Sequence, residues 1–454
     1  MRAGLCALLC ATTVWAQSSS RRGPGDGAVI LEGARLLRPG SGSPIERGAL
    51  LVENGRIVRI GENPAGMNAP AGARRIDLAG KTVMPLLVDT HVHLGYQKGL
   101  VFAADNFTRD TIVDQLDRYL YAGVGAVLSL GTDPGMLPFQ VRADQAAGQL
   151  AGTTWLTAGR GIAAPNAGPG TPELKASAYG VTTEEEARRA VREQTAHKVD
   201  FIKIWVDDRN GTVPKLDPAL SRAVIDEAHK QGTRVIAHVF YLADAKDLAR
   251  AGVDGFAHLV RDREVDDELV ALVKSRNIFV MPNLAISENG VHASPPAWLA
   301  DPLLRETSPA EVIARVGESF GRRPPDAVAR AQRTYAAMQR TLARLNAAGV
   351  TIVLGTDDGA VRDHFYAYTA HRELRLMVEA GMSPAQVLAA ATKTSADVLR
   401  LTDRGRLEPG SRADLLVLDA NPLDDIAHTT RIAAVYQNGV AVDRARLRQG
   451  FSRP

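Results

Sequence analysis

Met84-Pro85-Leu86-Leu87-Val88-Asp89-Thr90-His91-Val92-His93 is an apolar run that ends in two histidines one residue apart. Residues two apart on an extended chain share a face, so both imidazoles can point at one cation. A His-x-His pair recurs by chance in many proteins, and its setting decides what it means. From here to Leu401, apolar β-rich runs alternate with amphipathic helical stretches, which predicts a parallel sheet. The predicted strands are 83–88, 126–130, 154–157, 201–206, 234–237, 255–257, 279–281 and 351–354. Eight strands, each followed by helix, predict an α/β fold closed as a (β/α)8 TIM barrel. The two histidines then stand at the strand end where such barrels carry their active sites. An open doubly wound sheet is the alternative. It gains no support, because no Gly-x-Gly-x-x-Gly turn follows the first strand and no Gly-x-x-x-x-Gly-Lys-Ser/Thr phosphate loop occurs.

Outside this series the chain reads as β. From 29 to 76 apolar and polar residues alternate, with turns at Asn54-Gly55 and Asn63-Pro64, as in short antiparallel strands. From 405 to 442 the pattern returns, with the apolar run Ala413-Asp414-Leu415-Leu416-Val417-Leu418 and a turn at Asn438-Gly439. The predicted organisation is a β part at 29–84, a barrel at 85–402 and a second β part at 403–454. The longest break in the rhythm, 286–330, is rich in Pro, Ser and Arg. A lid or substrate wall and a tolerated surface insertion are both consistent with it.

The 454 residues are 45% hydrophobic and 23% charged, enough for a large core and more than a single core usually serves. Lys and Arg number 54 against 51 Asp and Glu, and the formal charge of +3 leaves no electrostatic footprint for nucleic acid or an anionic membrane. That balance argues against a polyanionic substrate. Residues 1–16 begin with Arg2, continue through the apolar stretch 3–9 and end in Val14-Trp15-Ala16. This is the layout of a secretory signal peptide, too short for a membrane span; the alternative is a disordered apolar tail. A polar linker follows at 17–28. Both cysteines, Cys6 and Cys10, fall in the leader, so the mature chain would have no disulfide and no thiolate ligand. Leu8-Leu9 lacks the small residue expected before a lipid-bearing Cys10. These features predict an exported protein, periplasmic or extracellular, without a transmembrane segment. They leave oligomeric state open, a homo-oligomer included.

His238 closes Arg234-Val235-Ile236-Ala237-His238 and His258 closes Gly255-Phe256-Ala257-His258, so four of ten histidines take the same relative place in three repeats. Singly, each is more often a structural histidine; converging neutral imidazoles favour a metal. Asp357 follows Val353-Leu354-Gly355-Thr356 at the end of the eighth run. It can bind metal and accept a proton from an attacking water, or it can cap a helix, as can Asp358. We assign the chemistry to Asp357 and the local turn to Asp358. Lys203 interrupts the apolar Phe201-Ile202-Lys203-Ile204-Trp205, where an unpaired ammonium is costly to bury. A buried ion pair answers that cost. So does carbamylation by carbon dioxide, which makes an anionic oxygen ligand able to bridge two cations. His197 and His229 fall in helices leading into strands, at the opposite end. His364 and Tyr366 are near enough to Asp357 in sequence to line a substrate pocket, in a loop where surface residues are the default. Arg160, Arg261 and Arg362 stand near strand ends, where they could grip a substrate carboxylate.

Together these residues resemble the amidohydrolase superfamily, in its imidazolonepropionase-like and metal-dependent prolidase-like branch. The resemblance is carried by 85–93, 201–205, 235–238, Gly252-Val253-Asp254-Gly255-Phe256-Ala257-His258, 354–359, and the tail 405–418 with Gly410-Ser411-Arg412-Ala413-Asp414-Leu415. It spans nearly the whole mature chain. It implies that His91, His93 and Asp357 hold a first metal, that His238 and His258 hold a second, and that carbamylated Lys203 bridges them. It implies a metal-activated hydroxide attacking a carbonyl, with Asp357 as the base, and a small β-sandwich built from both chain ends. Some positions depart from the family pattern: Leu86 in place of a glycine, Phe240 in place of a tyrosine that contacts substrate, Ala257-His258-Leu259, and Met281-Pro282-Asn283 in place of a Pro-Thr pair. Tyr241 can take over from Phe240. The expected substrate is a small amide, such as an N-acyl amino acid, a dipeptide or a lactam. Ester or lactone hydrolysis on the same site is an alternative, as is a binding protein on a hydrolase scaffold. His and carboxylate suit zinc, iron, manganese and nickel alike; we expect one or two divalent ions, zinc first.

Overall fold

A computed structural model describes residues 27–62 and 64–451. The predicted leader with Cys6 and Cys10, all of the linker up to 26, and Asn63 of the second turn lie outside the described residues.

The opening run is divided between two sheets. Thr82–Pro85 pairs antiparallel with Leu415–Leu418, Pro85 opposite Leu415, whereas Leu87–Val92 pairs parallel with Val124–Ser129. The single strand expected at 83–88 is therefore two. Pro85 has no N–H to extend a ladder, and the Leu86 N–H still bonds the first sheet, donating to the Asp414 carbonyl at 3.1 Å before the chain crosses to the second.

The two β parts on either side of the middle share one eight-stranded sheet. Its order runs Val440–Ala441, Ile432–Gln437, Leu415–Leu418, Thr82–Pro85, Val29–Leu36, Ile45–Glu53 and Arg56–Gly61, with Arg74–Asp77 also paired to Val29–Leu36. Period-two alternation sends Leu31, Leu50 and Val52 into one apolar cluster with Leu415 and Val417, and Ile30, Ala49 and Leu51 into another with Met67. Asn54-Gly55 and Asn438-Gly439 make the expected turns, all four residues at positive φ as a two-residue hairpin loop requires.

The middle of the chain is parallel. Three strands, Thr154–Thr157, Val124–Ser129 and Leu87–Val92, form one sheet. Tyr179–Gly180, Ile162–Ala163, Phe201–Val206, Arg234–Val239, Gly255–Ala257 and Phe279–Met281 form another. The two are joined by Asp200 N–H to the Thr157 carbonyl at 2.9 Å. The eighth predicted strand, 351–354, forms no ladder. It has one bridge, Val280 to Ile352, yet it bonds both ways: the Val353 N–H donates to the Val280 carbonyl and the Thr90 N–H to the Leu354 carbonyl. A side chain takes one group a ladder would use, the Leu354 N–H, which donates to Ser395 Oγ (3.2 Å), while Thr90 Oγ1 adds a second bond to the Leu354 carbonyl (2.6 Å).

Helices follow from local chemistry. Glu184–Ala196 begins with a reciprocal Thr183–Glu186 capping box and buries Ala187, Ala190 and Val191 against the sheet side. Pro218–Lys230 has Asp217 as N-cap and proline in its first turn. The break in the rhythm at 286–330 is largely helical: Pro302–Thr307, Ala310–Phe320 and the start of Pro325–Ala347. Its Trp298 packs against Phe365 and Tyr368, with ring centroids 5.9 and 6.2 Å away. Among the described residues, no helix is long and apolar enough to cross a membrane.

Candidate metal centre

His91 and His93 come from the end of Leu87–Val92, and Asp357 from the turn after 351–354. Asp89 brings them together: its Oδ2 accepts from Thr356 Oγ1 at 2.7 Å and its Oδ1 from the His91 and Thr356 N–H groups. The Asp357 N–H donates to the His91 carbonyl at 2.8 Å and the His93 N–H to the Asp358 carbonyl at 2.6 Å. The outcome is a tight triad. His91 Nε2 and His93 Nε2 each lie 3.0 Å from Asp357 Oδ1, and one donor atom from each of the three residues falls within 4.8 Å of the others. All three side chains are buried.

His258 stands beside the triad, its Nε2 3.8 Å from Asp357 Oδ2 and its ring centroid 5.3 Å from that of His91. His238 stacks edge-on against His258 at 4.5 Å, but its Nε2 is engaged by Asp207 Oδ2 (3.1 Å) and lies 3.3 Å from Arg261 Nη2. Lys203 is 1% exposed, and its Nζ makes no hydrogen bond among the described residues. Gly131 makes room for it: a Cβ there, at φ 91°, would meet Lys203 Cγ at 2.6 Å. The structure thus brings His91, His93, Asp357 and His258 together, and places Lys203 and His238 beside that group without joining them to the triad.

Burial pushes the His91 and His238 imidazoles down to about 4 and His258 well below its usual range. Burial likewise pushes the Lys203 amine down to about 7. For Asp357, burial acts to raise the carboxyl, but attraction to His91 and His258 outweighs it and holds the group well below the carboxylate range. Near neutral pH this gives neutral imidazoles and an ionised carboxylate, the states in which these groups ligate metal. His91 Nε2, His258 Nδ1 and Lys203 Nζ are buried without a hydrogen-bond partner among the described residues. Each such orphan costs about 1–3 kcal/mol, and a divalent cation held by the triad would satisfy His91 Nε2. The donor set fits a metal.

The remaining predicted residues divide. His364 is buried at the edge of the site, its Nδ1 accepting from the Gly359 N–H at 3.2 Å and its Nε2 without a partner. Tyr241 donates to Asp208 Oδ1 at 2.6 Å, next in sequence to the Asp207 that engages His238. Arg160 is spent on the Ala178 carbonyl and the Tyr179 ring, and Arg362 lies 3.7 Å from Glu173, half exposed. His197 stacks on Phe139 and His229 pairs with Asp254, as expected of structural histidines. Sequence reasoning passed over Asp207 and Thr132, and singled out Asn283 only as a departure from the family pattern. Thr132 Oγ1 lies 2.7 Å from His93 Nδ1, and Asn283 Oδ1 lies 3.3 Å from His91 Nδ1. Their signal was position, since each follows a parallel strand at the end that carries the histidines.

Strand ends bring histidines and a carboxylate into one buried cluster, and the comparisons give the family. Residues 82–442 match the amidohydrolase family, and the chain belongs to it. It is a hydrolase of carbon–nitrogen bonds. It is 28% identical over 442 residues to an imidazolonepropionase from Salinispora tropica, covering 86% of this chain and 91% of that one. It is 26% identical over 434 residues to the ochratoxinase of Aspergillus niger, covering 87% and 82%. Among solved structures, a Bifidobacterium longum protein assigned as a prolidase superposes with a TM-score of 0.72 at 27% identity, over 95% of this chain and 100% of the other.

Proposed function

We propose that the chain is an exported, metal-dependent amidohydrolase that cleaves the C–N bond of a small amide: an N-acyl amino acid, a dipeptide or a cyclic amide. The observation that carries this reading is the buried triad of His91, His93 and Asp357 with orphaned nitrogens beside it. In this reading His91, His93 and Asp357 hold one divalent ion, zinc by preference. His238 and His258 hold a second, with carbamylated Lys203 between them. The parallel strands close into a barrel over residues 85–402, with the terminal sheet folded into a sandwich from 29–84 and 403–454. The leader at 1–16 is removed on export.

A cation held in the triad supplies Lewis acidity, lowering the pKa of a water and polarising a carbonyl oxygen. Asp357 would take the proton from the attacking water as the C–O bond forms to the carbonyl carbon, and would pass it to the nitrogen, whose protonation lets the C–N bond break in turn. His364, whose Nε2 is without a partner at the edge of the site, orients the substrate. A one-metal form is the second reading, favoured by a specific observation: His238 Nε2 is already engaged by Asp207.

The test is steady-state hydrolysis of N-acyl amino acids, dipeptides and lactams beside their matching esters and lactones, with chelator and zinc add-back. Amide cleavage lost on chelation and restored by zinc supports the proposal. Cleavage of esters or lactones alone would replace it.

A further inference from the structure

Asn283 follows the strand Phe279–Met281 and Pro282, and one amide there touches both halves of the site. It is fully buried and left-handed, φ 48° and ψ 50°. Its Oδ1 accepts from the His258 N–H at 3.0 Å and lies 3.3 Å from His91 Nδ1. A backbone N–H can only donate, so the amide atom facing it is the oxygen, and the same oxygen then faces His91. An acceptor at that position favours the proton on Nδ1. His91 then carries its lone pair on Nε2, 3.0 Å from Asp357 Oδ1, where the carboxylate competes for the proton and a cation held between the two would settle the contest in favour of Nδ1–H. The Thr132 hydroxyl beside His93 can donate or accept, so it fixes no tautomer alone.

Asn283 is itself held from behind. Glu373, wholly buried, uses Oε1 for the Leu284 N–H (2.8 Å) and Oε2 for the Ala285 N–H (2.7 Å), which anchors the chain just after the asparagine. Asparagine is among the few residues that enter the left-handed region readily. His258, tied to the same oxygen, is also left-handed at φ 73°.

We infer that Asn283 is a positioning residue: it fixes His91 with the proton on Nδ1 and holds the His258 turn, so that two imidazoles from distant strands serve one centre. This rests on the metal-centre reading above. Outer partners of ligating histidines contribute about 10–100-fold to metal affinity.

The test uses full-length protein with 15N-labelled histidine. NMR of the metal-free parent, Asn283→Gly and Asn283→Asp reads the His91 tautomer, and competition with a chromophoric chelator reads zinc affinity. Glycine keeps the left-handed backbone without steric cost and deletes the amide; aspartate keeps the acceptor oxygen. The parent is expected to hold the His91 proton on Nδ1. Asn283→Gly is expected to lose that preference and bind zinc about 10–100-fold more weakly, and Asn283→Asp to restore both. A parent with the proton on Nε2 overturns the inference even if the glycine variant does not fold. So does a folded glycine variant with parental tautomer and affinity. A parent that binds no zinc sinks the metal-centre reading instead, while the tautomer still decides the role of Asn283.

Discussion

At Asp357 the backbone enters the left-handed region, φ 64°, and that turn aims one carboxylate oxygen at two imidazoles. Non-glycine residues held there cost of order 1–3 kcal/mol and collect at functional sites. Asn283 and His258 share the property. Asp357→Asn keeps the shape and loses the proton acceptor, so the folded variant is expected to lose about 100- to 10,000-fold in kcat. Steady-state turnover of an N-acyl amino acid checks this, and near-parental kcat removes Asp357 from the base role. Gly359 makes a separate demand. At φ 81°, a Cβ on it would lie 1.9 Å from the His93 carbonyl oxygen, a backbone atom that cannot step aside without moving a proposed ligand. Gly359→Ala is expected to cost about 3 kcal/mol or more in urea unfolding; an unchanged midpoint contradicts the packing. At this scale His91, His93, His258 and Asp357 were legible, because a strand end is visible as an apolar run followed by a polar residue. The hydrogen bonds of Tyr241 and His238 were not, since Asp207 and Asp208 reach them through folding rather than through spacing.

Among elements, the insertion is fastened at Glu288. Its side chain is buried, with Oε1 accepting from Arg372 Nη2 at 2.8 Å and Trp298 Nε1 at 3.3 Å, and it also contacts His292. Removing one partner of a buried pair costs about 3–5 kcal/mol. Glu288→Gln is therefore expected to loosen 289–324 and to make that segment the first site of limited proteolysis; parental resistance would count against the fastening. Glu373, from the helix Tyr368–Glu379, holds the turn after Asn283. Burial pushes its carboxyl from 4.5 up to about 8. The folded chain then keeps a proton that the unfolded chain releases between those values, so this group's contribution to stability is present below 4.5 and is lost as pH rises through about 8. Relative to Glu373→Gln, the metal-free parent is expected to lose up to about 1.4 kcal/mol per pH unit within that window. Urea melts of both proteins at pH 5 and 8 read it, and a pH-independent difference contradicts it. Of the predicted strands, Thr154–Thr157, Phe201–Val206, Gly255–Ala257 and Phe279–Met281 stand at their expected bounds, because each is a short apolar run with clear breakers. The first and eighth did not. Pro85 and Leu86 hand the chain from one sheet to another, and Thr90 and Ser395 occupy backbone groups of 351–354, events that depend on partners far away in sequence.

Over the whole molecule, the two β parts on either side of the middle meet in one sheet that also takes Thr82–Pro85, so the segment leading into His91 is tethered to residues more than 300 positions away. That tether fixes the start of Leu87–Val92, and Asp89 fixes its end against Thr356. These contacts frame the site through the fold itself, and a divalent ion would add stability through mass action, RT ln(1 + [L]/Kd), about 2.7 kcal/mol at a hundredfold excess over Kd. Chelation is expected to lower the melting temperature of protein purified with its metal, and zinc to restore it; indifference to both would argue that the triad is structural. The most direct measurement is elemental analysis of divalent metal per chain, on protein purified without chelator, for the parent and Lys203→Ala. Two ions in the parent with a clear loss in Lys203→Ala are expected, and a parent devoid of metal would contradict the metal-dependent hydrolase.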